Sequence, residues 1–173
     1  MCGVFALFLR RPLSDADIDL GRAGTLALRH RGPDHGGEWY DREKGIYLGH
    51  RRLSIIDLSP TSNQPMERDG LVLSYNGEIY NYRTLRDDLK AGGFSFASNG
   101  DTEVLLCGWQ KAGPEYLTDL DGMFAFALWD GNDGWLATDR FGEKQLFVAE
   151  TADGLYVSSE LTQLVEILQP APD

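Results

Sequence analysis

Short apolar runs that come in close pairs constrain the fold of this chain most strongly. Asp130-Gly131-Asn132-Asp133-Gly134 joins two of these runs, and Thr151-Ala152-Asp153-Gly154 joins another pair. Both connections consist of turn-forming residues, so they predict antiparallel hairpins. Runs rich in β-branched and aromatic residues predict strands at 2–8, 46–50, 71–75, 123–129, 135–138, 146–149 and 155–159.

Helical patterns fall between and outside these runs. The sequence predicts a helix at 81–90. Asn81 is its candidate N-cap, Leu85 and Leu89 lie on one face, and Gly92-Gly93 is the stop signal after it. The sequence predicts further helices that begin at Asp15, at Asp101 and near Glu160. Together the elements predict an α+β fold in which helices lie outside antiparallel sheets.

Charge and hydropathy argue against two kinds of partner. The 173 residues suit one domain, and their formal net charge is −11. Nucleic-acid binding usually depends on clustered Lys and Arg, and a net negative charge gives no such attraction for the phosphate backbone. We therefore expect no nucleic-acid partner. The apolar run that ends at Leu9 is too short to span a bilayer, and Arg10 and Arg11 follow it instead of preceding it. We therefore expect a cytoplasmic protein that does not associate with a membrane.

Cys2 directly follows the initiator methionine, Met1. Removal of Met1 would leave one residue that carries both a thiol nucleophile and a free α-amine. That amine has an ordinary pKa of roughly 7.7–8.0, so near neutral pH part of it can accept the thiol proton. The alternative is that Cys2 is only a small apolar strand residue. The other cysteine, Cys107, lies in a helical pattern and is predicted to be an inert core residue.

A second candidate site is the Asn76-Gly77 pair, which follows a strand-like run. Alone, an Asn-Gly pair predicts a hairpin turn. The residues after Gly77, however, are typical of a helix start and not of a returning strand. In that setting the Asn76 side-chain amide and the Gly77 N–H can donate to one oxygen that gains negative charge during attack on a carbonyl.

Charged residues at three places could bind a polar substrate. Arg52 is either an exposed charge at a sheet edge or a guanidinium that binds a carboxylate. Asp101 is either a helix N-cap or a carboxylate that holds an ammonium group. The loop at 29–34 has turn chemistry, and its two arginines make it a further candidate.

Seven short motifs, in this order, resemble one family: the class II glutamine amidotransferase domains with an N-terminal nucleophile. The resemblance covers almost the whole chain and is greatest to the glutaminase half of glutamine-dependent asparagine synthetases. The motifs are Met1-Cys2-Gly3, Arg29-His30-Arg31-Gly32-Pro33-Asp34, Arg52-Leu53-Ser54-Ile55, Tyr75-Asn76-Gly77-Glu78-Ile79-Tyr80-Asn81, Gly100-Asp101-Thr102-Glu103, Leu120-Asp121-Gly122-Met123-Phe124-Ala125-Phe126 and Asp139-Arg140-Phe141-Gly142-Glu143-Lys144.

The resemblance implies a four-layer αββα sandwich of the N-terminal-nucleophile hydrolase type, with antiparallel sheets. It also implies hydrolysis of L-glutamine to glutamate and ammonia. By similarity, Cys2 would attack the side-chain amide carbon and form a thioester, while Asn76 and Gly77 would bind the oxyanion.

The resemblance implies a binding site for glutamine as well. Arg52 would bind the α-carboxylate, and Asp101 and Glu78 would face the ammonium group. The rest of the pocket would be lined by the backbone of Leu53, Ser54, Ile55 and Ile56. No spacing of metal ligands is persuasive, so we expect no metal in this site.

Part of the related enzymes has no counterpart in this sequence. In full-length asparagine synthetases a synthetase half follows, with a Ser-Gly-Gly loop for pyrophosphate, and no such loop occurs here. We therefore expect residues 1–173 to form a single type-2 amidotransferase domain that lacks its last strand. Its partner would be a synthetase domain or subunit that receives the ammonia for L-asparagine biosynthesis. ATP and Mg²⁺ would bind only in that missing domain, and a homo-oligomer is left open.

Three alternatives stay open at this point. The chain could be a non-catalytic or partner-activated domain of a different synthetase. It could be the glutaminase of another N-terminal-nucleophile enzyme, such as amidophosphoribosyltransferase. A Cys-His mechanism based on Cys107 is weaker, because that cysteine lies in a helical pattern and lacks the glycine that precedes a nucleophile at a strand-to-helix turn.

Overall fold

Two antiparallel sheets form the centre of the computed structural model, which describes residues 1–169. Within that range the chain forms nine strands, namely β1 (Gly3–Leu9), β2 (His35–Asp41), β3 (Ile46–Arg52), β4 (Met66–Arg68), β5 (Leu71–Ile79), β6 (Gly122–Trp129), β7 (Gly134–Thr138), β8 (Phe147–Thr151) and β9 (Gly154–Ser158). One sheet has the order β2-β3-β1-β9-β8, and the other has the order β4-β5-β6-β7. The expectation that the domain lacks its last strand concerns the chain after residue 169, which lies outside the described residues.

Helices cover the outer face of each sheet. In the described part of the chain the α-helices are α1 (Asp15–Ala27), α2 (Tyr82–Ala91), α3 (Asp101–Ala112) and α4 (Leu161–Leu168). Helix α1 begins with a capping box, because Ser14 and Asp17 each bond the other's backbone N–H. All four helices begin within one residue of the predicted start.

Three apolar layers hold these elements together. Between the two sheets, Val4 and Leu48 of one sheet pack in the same cluster as Val72 of the other. A second cluster joins the five-stranded sheet to α1 and α4, and a third joins β5 and β6 to α3. The layers therefore follow the order helices, sheet, sheet, helices, which confirms the predicted αββα sandwich.

Both predicted hairpins are present. Strands β6 and β7 pair from Trp129 opposite Gly134, and β8 and β9 pair from Thr151 opposite Gly154. In the first turn the Asp130 carboxylate accepts hydrogen bonds from two backbone N–H groups of the turn, at 2.8 and 2.9 Å. This is the side-chain chemistry for which aspartate is favoured in turns.

Two strands were missed by the sequence pattern. Strand β2 contains Gly36 and Gly37, and its side chains alternate between half-buried and exposed, so it has neither the composition nor the apolar run of a strand. Strand β4 is only three residues long and pairs with β5 at one edge of its sheet. Pairing with a neighbouring strand, and not local preference, decides the structure of both segments.

A helix follows the Asn76-Gly77 pair, as predicted, but it begins only at Tyr82, because the preceding strand runs past its predicted end at residue 75. Strand β5 continues through Asn76 and Gly77, which pair with Ala125 and Phe124 of β6, and it ends at Ile79. The pair is therefore neither a hairpin turn nor a helix start. The long ladder with β6 overrides the turn preference of the Asn-Gly sequence.

Two capping predictions also need correction. Asn81 occupies the N-cap of α2, but its side chain makes no cap hydrogen bond; it bonds the backbone at Asp119 and Asp121 instead. The N-cap of α3 is Gly100, so Asp101 is the first residue inside the helix. Both side chains are therefore used for tertiary contacts that join separate segments.

The loop after β7 is organised by one buried carboxylate, that of Asp139. It accepts hydrogen bonds from the backbone N–H groups of Phe124, Phe141, Glu143 and Lys144, at 2.9–3.1 Å. Burial by itself would raise the pKa of Asp139, but these donors outweigh it and hold the pKa below its ordinary value.

We expect Asp139→Ala to lower the free energy of unfolding by about 2–3 kcal/mol at neutral pH, because four backbone donors, one of them buried, would lose their acceptor. A lowered folded-state pKa stabilises the protein above the unfolded pKa of roughly 3.9 and ceases to do so as the pH falls below it. The difference from wild type should therefore shrink in acid. Urea unfolding at neutral and acidic pH measures it, with exposed Asp133→Ala as the control.

Candidate active site

A pocket opens where the start of β1, the end of β3, the middle of β5 and the start of α3 meet. Nine of the ten predicted site residues line it: Cys2, Arg52, Leu53, Ile55, Ile56, Asn76, Gly77, Glu78 and Asp101. The exception is Ser54, which is not among the lining residues; its N–H donates to the Asp34 carboxylate at 2.8 Å. Residues that are far apart in the sequence are thus brought to one place by the two sheets.

The Cys2 thiol lies against the first residue of the loop after β3. The Leu53 N–H donates to the Cys2 sulfur at 3.4 Å, and the sulfur lies 3.7 Å from the Leu53 carbonyl oxygen. Burial raises the pKa of the thiol, and the Leu53 hydrogen bond opposes this only in part. The thiol is therefore protonated at neutral pH and requires a base before it can attack.

Met1 also lines the pocket, and its sulfur lies 3.5 Å from the Lys144 ammonium group. While Met1 is attached, the nitrogen of Cys2 is part of a peptide bond and cannot act as a base. Removal of Met1 would both free this amine and vacate space in the pocket.

Asn76, which lines the pocket, has a buried side-chain amide with an unpaired N–H donor. The residue is 2% exposed, and its Nδ2 has no hydrogen-bond partner among the described residues. A buried amide without a partner is costly, so such a group indicates a place where a ligand oxygen binds. At the next position a side chain is excluded, because a Cβ on Gly77 would lie 2.7 Å from the Phe124 Cα.

Arg52 is buried and already holds the loop that follows it. Its guanidinium donates to the Ser59 carbonyl at 2.9 Å, to the Asn63 side chain at 2.8 Å and to the Asp57 carbonyl. Of the two alternatives for Arg52, the structure rules out the exposed edge charge. The same group shapes the wall of the pocket and adds positive charge to it.

Asp101 lies at the start of α3, where the helix dipole favours a negative charge. Its Oδ2 accepts hydrogen bonds from the Tyr75 hydroxyl at 2.7 Å and the Ile79 N–H at 3.0 Å. Burial nevertheless raises its pKa above the ordinary value. Half-buried Glu78 lines the same pocket, so two acidic residues and Arg52 share its wall.

Comparison with known proteins decides the family. A glutamine amidotransferase domain family matches residues 1–173. A putative glutamine-hydrolysing asparagine synthetase of Mycobacterium tuberculosis H37Rv is 42% identical over 98% of this chain and 28% of its own length. Asparagine synthetase 1 of Bacillus subtilis is 39% identical over 95% of this chain and 27% of its own length. The chain belongs to the glutamine amidotransferase domain family.

The fold agrees with this assignment. Glutamine phosphoribosylpyrophosphate amidotransferase of B. subtilis, solved with ADP and GMP, superposes with a TM-score of 0.81 at 23% identity. The match covers 97% of this chain and 44% of that protein. The amidotransferase domain described here spans less than a third of the length of the curated asparagine synthetases it matches.

Three residues that line the pocket, Gln64, Tyr75 and Lys144, have no role predicted from the sequence. Gln64 accepts from the Tyr75 N–H at 2.7 Å and donates to the Thr102 hydroxyl at 3.3 Å, which ties β5 to α3. No local pattern marks Gln64. Lys144 could have been found, since it ends one of the family's motifs, and Tyr75 begins another.

The Cys-His alternative finds no support in the amidotransferase domain. Cys107 is fully buried in α3, and burial raises its pKa to about 11. Burial likewise lowers the pKa of His50 to about 3, and its ring bonds the Tyr75 carbonyl at 2.9 Å. Both residues are core residues outside the pocket, as predicted for Cys107.

Metal-binding clusters and membrane-spanning helices are both absent from the described residues. Among residues 1–169, no group of three or more His, Cys, Asp or Glu side chains is arranged to hold a metal ion. Over the same described range, none of the helices has the length and apolar character needed to cross a membrane.

We expect the form that retains Met1 to show a Cys2 thiol pKa above the ordinary value of 9.0, because burial disfavours the thiolate. The rate of iodoacetamide alkylation against pH, followed by intact mass, measures this pKa. Cys2→Ala reports the background from Cys107. A midpoint at or below the ordinary value would mean that the thiol is not desolvated.

Proposed function

We propose that the domain hydrolyses L-glutamine to glutamate and ammonia, with Cys2 as the nucleophile. The observation that carries this proposal is the unpaired, buried amide of Asn76 in the same pocket as the Cys2 thiol, in a chain of the amidotransferase family. A nucleophile beside a preorganised donor is the arrangement required for acyl transfer.

The reaction begins after Met1 is removed. The free α-amine of Cys2 accepts the thiol proton, and the sulfur attacks the side-chain amide carbon of glutamine. Asn76 Nδ2 and the Gly77 N–H then donate to the oxyanion. The carbon–nitrogen bond breaks, the amine returns its proton to the leaving nitrogen, and ammonia departs. Water hydrolyses the resulting thioester, which releases glutamate and restores the thiol.

The charges of the pocket fit the other end of glutamine. Arg52 would bind the α-carboxylate, using N–H groups that the loop contacts leave free. Asp101 and Glu78 would face the α-ammonium group. The loop residues Leu53, Ile55 and Ile56 would close the pocket around the aliphatic part of the substrate.

The relatives named asparagine synthetase extend well beyond the region matched here. We infer that the ammonia passes to a synthetase domain or subunit, in an ATP-dependent amidation of the asparagine synthetase type. ATP and Mg²⁺ would bind in that partner and not in this domain. The sequence predicts a cytoplasmic location for this reaction.

We expect the protein to release glutamate from glutamine, and Cys2→Ala to abolish the release because no other group supplies the nucleophile. The material must begin at Cys2, as shown by intact mass. Glutamate is measured by a coupled dehydrogenase assay. Correctly processed, folded wild type that releases none, alone or with a synthetase partner, would favour a non-catalytic domain.

Asn76→Ala should lower kcat by about 10²–10³-fold with little change in KM, because its amide acts on charge that exists only in the transition state. Steady-state kinetics with glutamine separate the two constants. An effect confined to KM would remove Asn76 from the oxyanion site.

Arg52→Ala should chiefly raise KM, because it would remove the partner of the substrate carboxylate. Since Arg52 also holds the loop, Asn63→Ala serves as the matched control: it removes one loop contact but leaves the guanidinium in place. Equal increases in KM for the two variants would assign Arg52 to loop structure alone.

A further inference from the structure

The backbone of the nucleophile is held from outside the pocket. Arg31, whose side chain is 13% exposed, donates from its Nε to the Cys2 carbonyl oxygen at 2.9 Å. From the other side of the guanidinium, Nη1 donates to Glu160 Oε1 at 3.0 Å. Neither Arg31 nor Glu160 lines the pocket. A chain of two contacts therefore joins the nucleophile to the segment between β9 and α4.

The same segment also holds the residue after Gly3. The Val4 N–H donates to the Ser159 hydroxyl at 2.9 Å, and the Ser159 N–H donates to the Val4 carbonyl at 2.9 Å. Ser159 and Glu160 thus fix the chain on both sides of Gly3. The start of β1 has little freedom to shift while these contacts persist.

An arginine can hold a carbonyl in a defined position only if its own side chain is immobile. The Arg31 side chain has several rotatable bonds, and ordering it costs up to about 2 kcal/mol. A carboxylate at 3.0 Å offsets that cost and fixes the plane of the guanidinium. Glu160 is only 26% exposed in its side chain, so the pair is partly shielded from water.

We propose that Glu160 is a positioning residue for the Cys2 nucleophile and acts through Arg31. Loss of the carboxylate lets the guanidinium turn away, and the Cys2 carbonyl loses its fixed donor. The sulfur and the α-amine then sample positions in which they do not meet the substrate amide. Small displacements of reacting groups lower kcat steeply, whereas substrate binding, which depends on Arg52 and Asp101, is unaffected.

His30 is the other partner of Glu160, since its Nε2 lies 2.9 Å from the same oxygen. Its side chain is 58% exposed, and pairs of this kind contribute little. Its ring makes its other hydrogen bond to the Ala27 carbonyl and none to Cys2. His30→Ala therefore tests whether Glu160 acts through this neighbour.

The experiment compares Arg31→Ala, Glu160→Ala and the double variant with wild type in glutamine hydrolysis; it rests on the glutaminase function proposed above. We expect Glu160→Ala to lower kcat about tenfold and to leave KM within about twofold. In the Arg31→Ala background, removal of Glu160 should have no further effect, because a residue that acts through Arg31 has nothing left to position. Glu160→Gln, which keeps an acceptor oxygen, should lose less.

Glu38→Ala is the matched control. Glu38 is also a glutamate paired with an arginine, with Arg22 at 2.9 Å, but it lies on β2 and does not line the pocket. Its kcat should equal that of wild type. Thermal unfolding of every variant shows whether a loss of rate follows a loss of structure, and Glu160→Gln replaces Glu160→Ala if the latter does not fold.

Hydrogen exchange of the N-terminal peptide supplies a readout that does not require turnover. Glu160→Ala and Arg31→Ala should both speed exchange at the amides of Gly3 and Val4, without additivity. Additive losses of kcat, a change confined to KM, or the same loss in His30→Ala would overturn the proposal. If wild type does not hydrolyse glutamine, the proposed function is overturned instead. In that case hydrogen exchange still tests the positioning role, and unchanged exchange in the variants would overturn it.

Discussion

The pairing of β1 with strands on both of its sides is the constraint on which the rest of the site depends. Strand β1 lies between β3 and β9, and Val4 to Leu7 have no exposed surface. A slip of one residue would exchange the apolar faces of β1 between the two core layers, so its register is strongly specified. Cys2, one residue before this strand, therefore has a defined place at the end of a central strand. The same pairing brings the end of β3, and with it Arg52, to the nucleophile.

Burial in this region has opposite effects on the acidic and basic groups, and both effects bear on chemistry. It raises the pKa of the Cys2 thiol and of Asp101, and it lowers the pKa of His50. A protonated thiol needs a base, and the neutral imidazole of His50 is engaged with the Tyr75 carbonyl, outside the pocket. In the mechanism proposed above, that base is the α-amine that the removal of Met1 would expose, so the nucleophile and the base would belong to one residue.

Several polar side chains link elements that the apolar layers alone would leave free to slide. Gln64 joins β5 to α3, Asp101 joins the start of α3 to Tyr75, and Asp139 gathers the loop that carries Lys144. Each is buried and bonds groups distant in sequence, so each orients part of the pocket wall. The apolar core sets the layers, whereas these hydrogen bonds set the positions of the functional groups within them.

The sequence by itself determined the α+β class, both hairpins and the helix starts, because local periodicity and turn chemistry carry that information. Its short motifs carried the family resemblance, which implied the four-layer sandwich and nine of the residues that line the pocket. Tertiary structure alone decided that the Asn76-Gly77 pair lies inside a strand, since pairing with β6 overrides the turn preference. It also decided that Gly36 and Gly37 form part of a strand, and that Glu160 reaches Cys2 through Arg31. These features depend on contacts between segments that are far apart in the chain, and local sequence patterns do not encode which distant segment will be the neighbour.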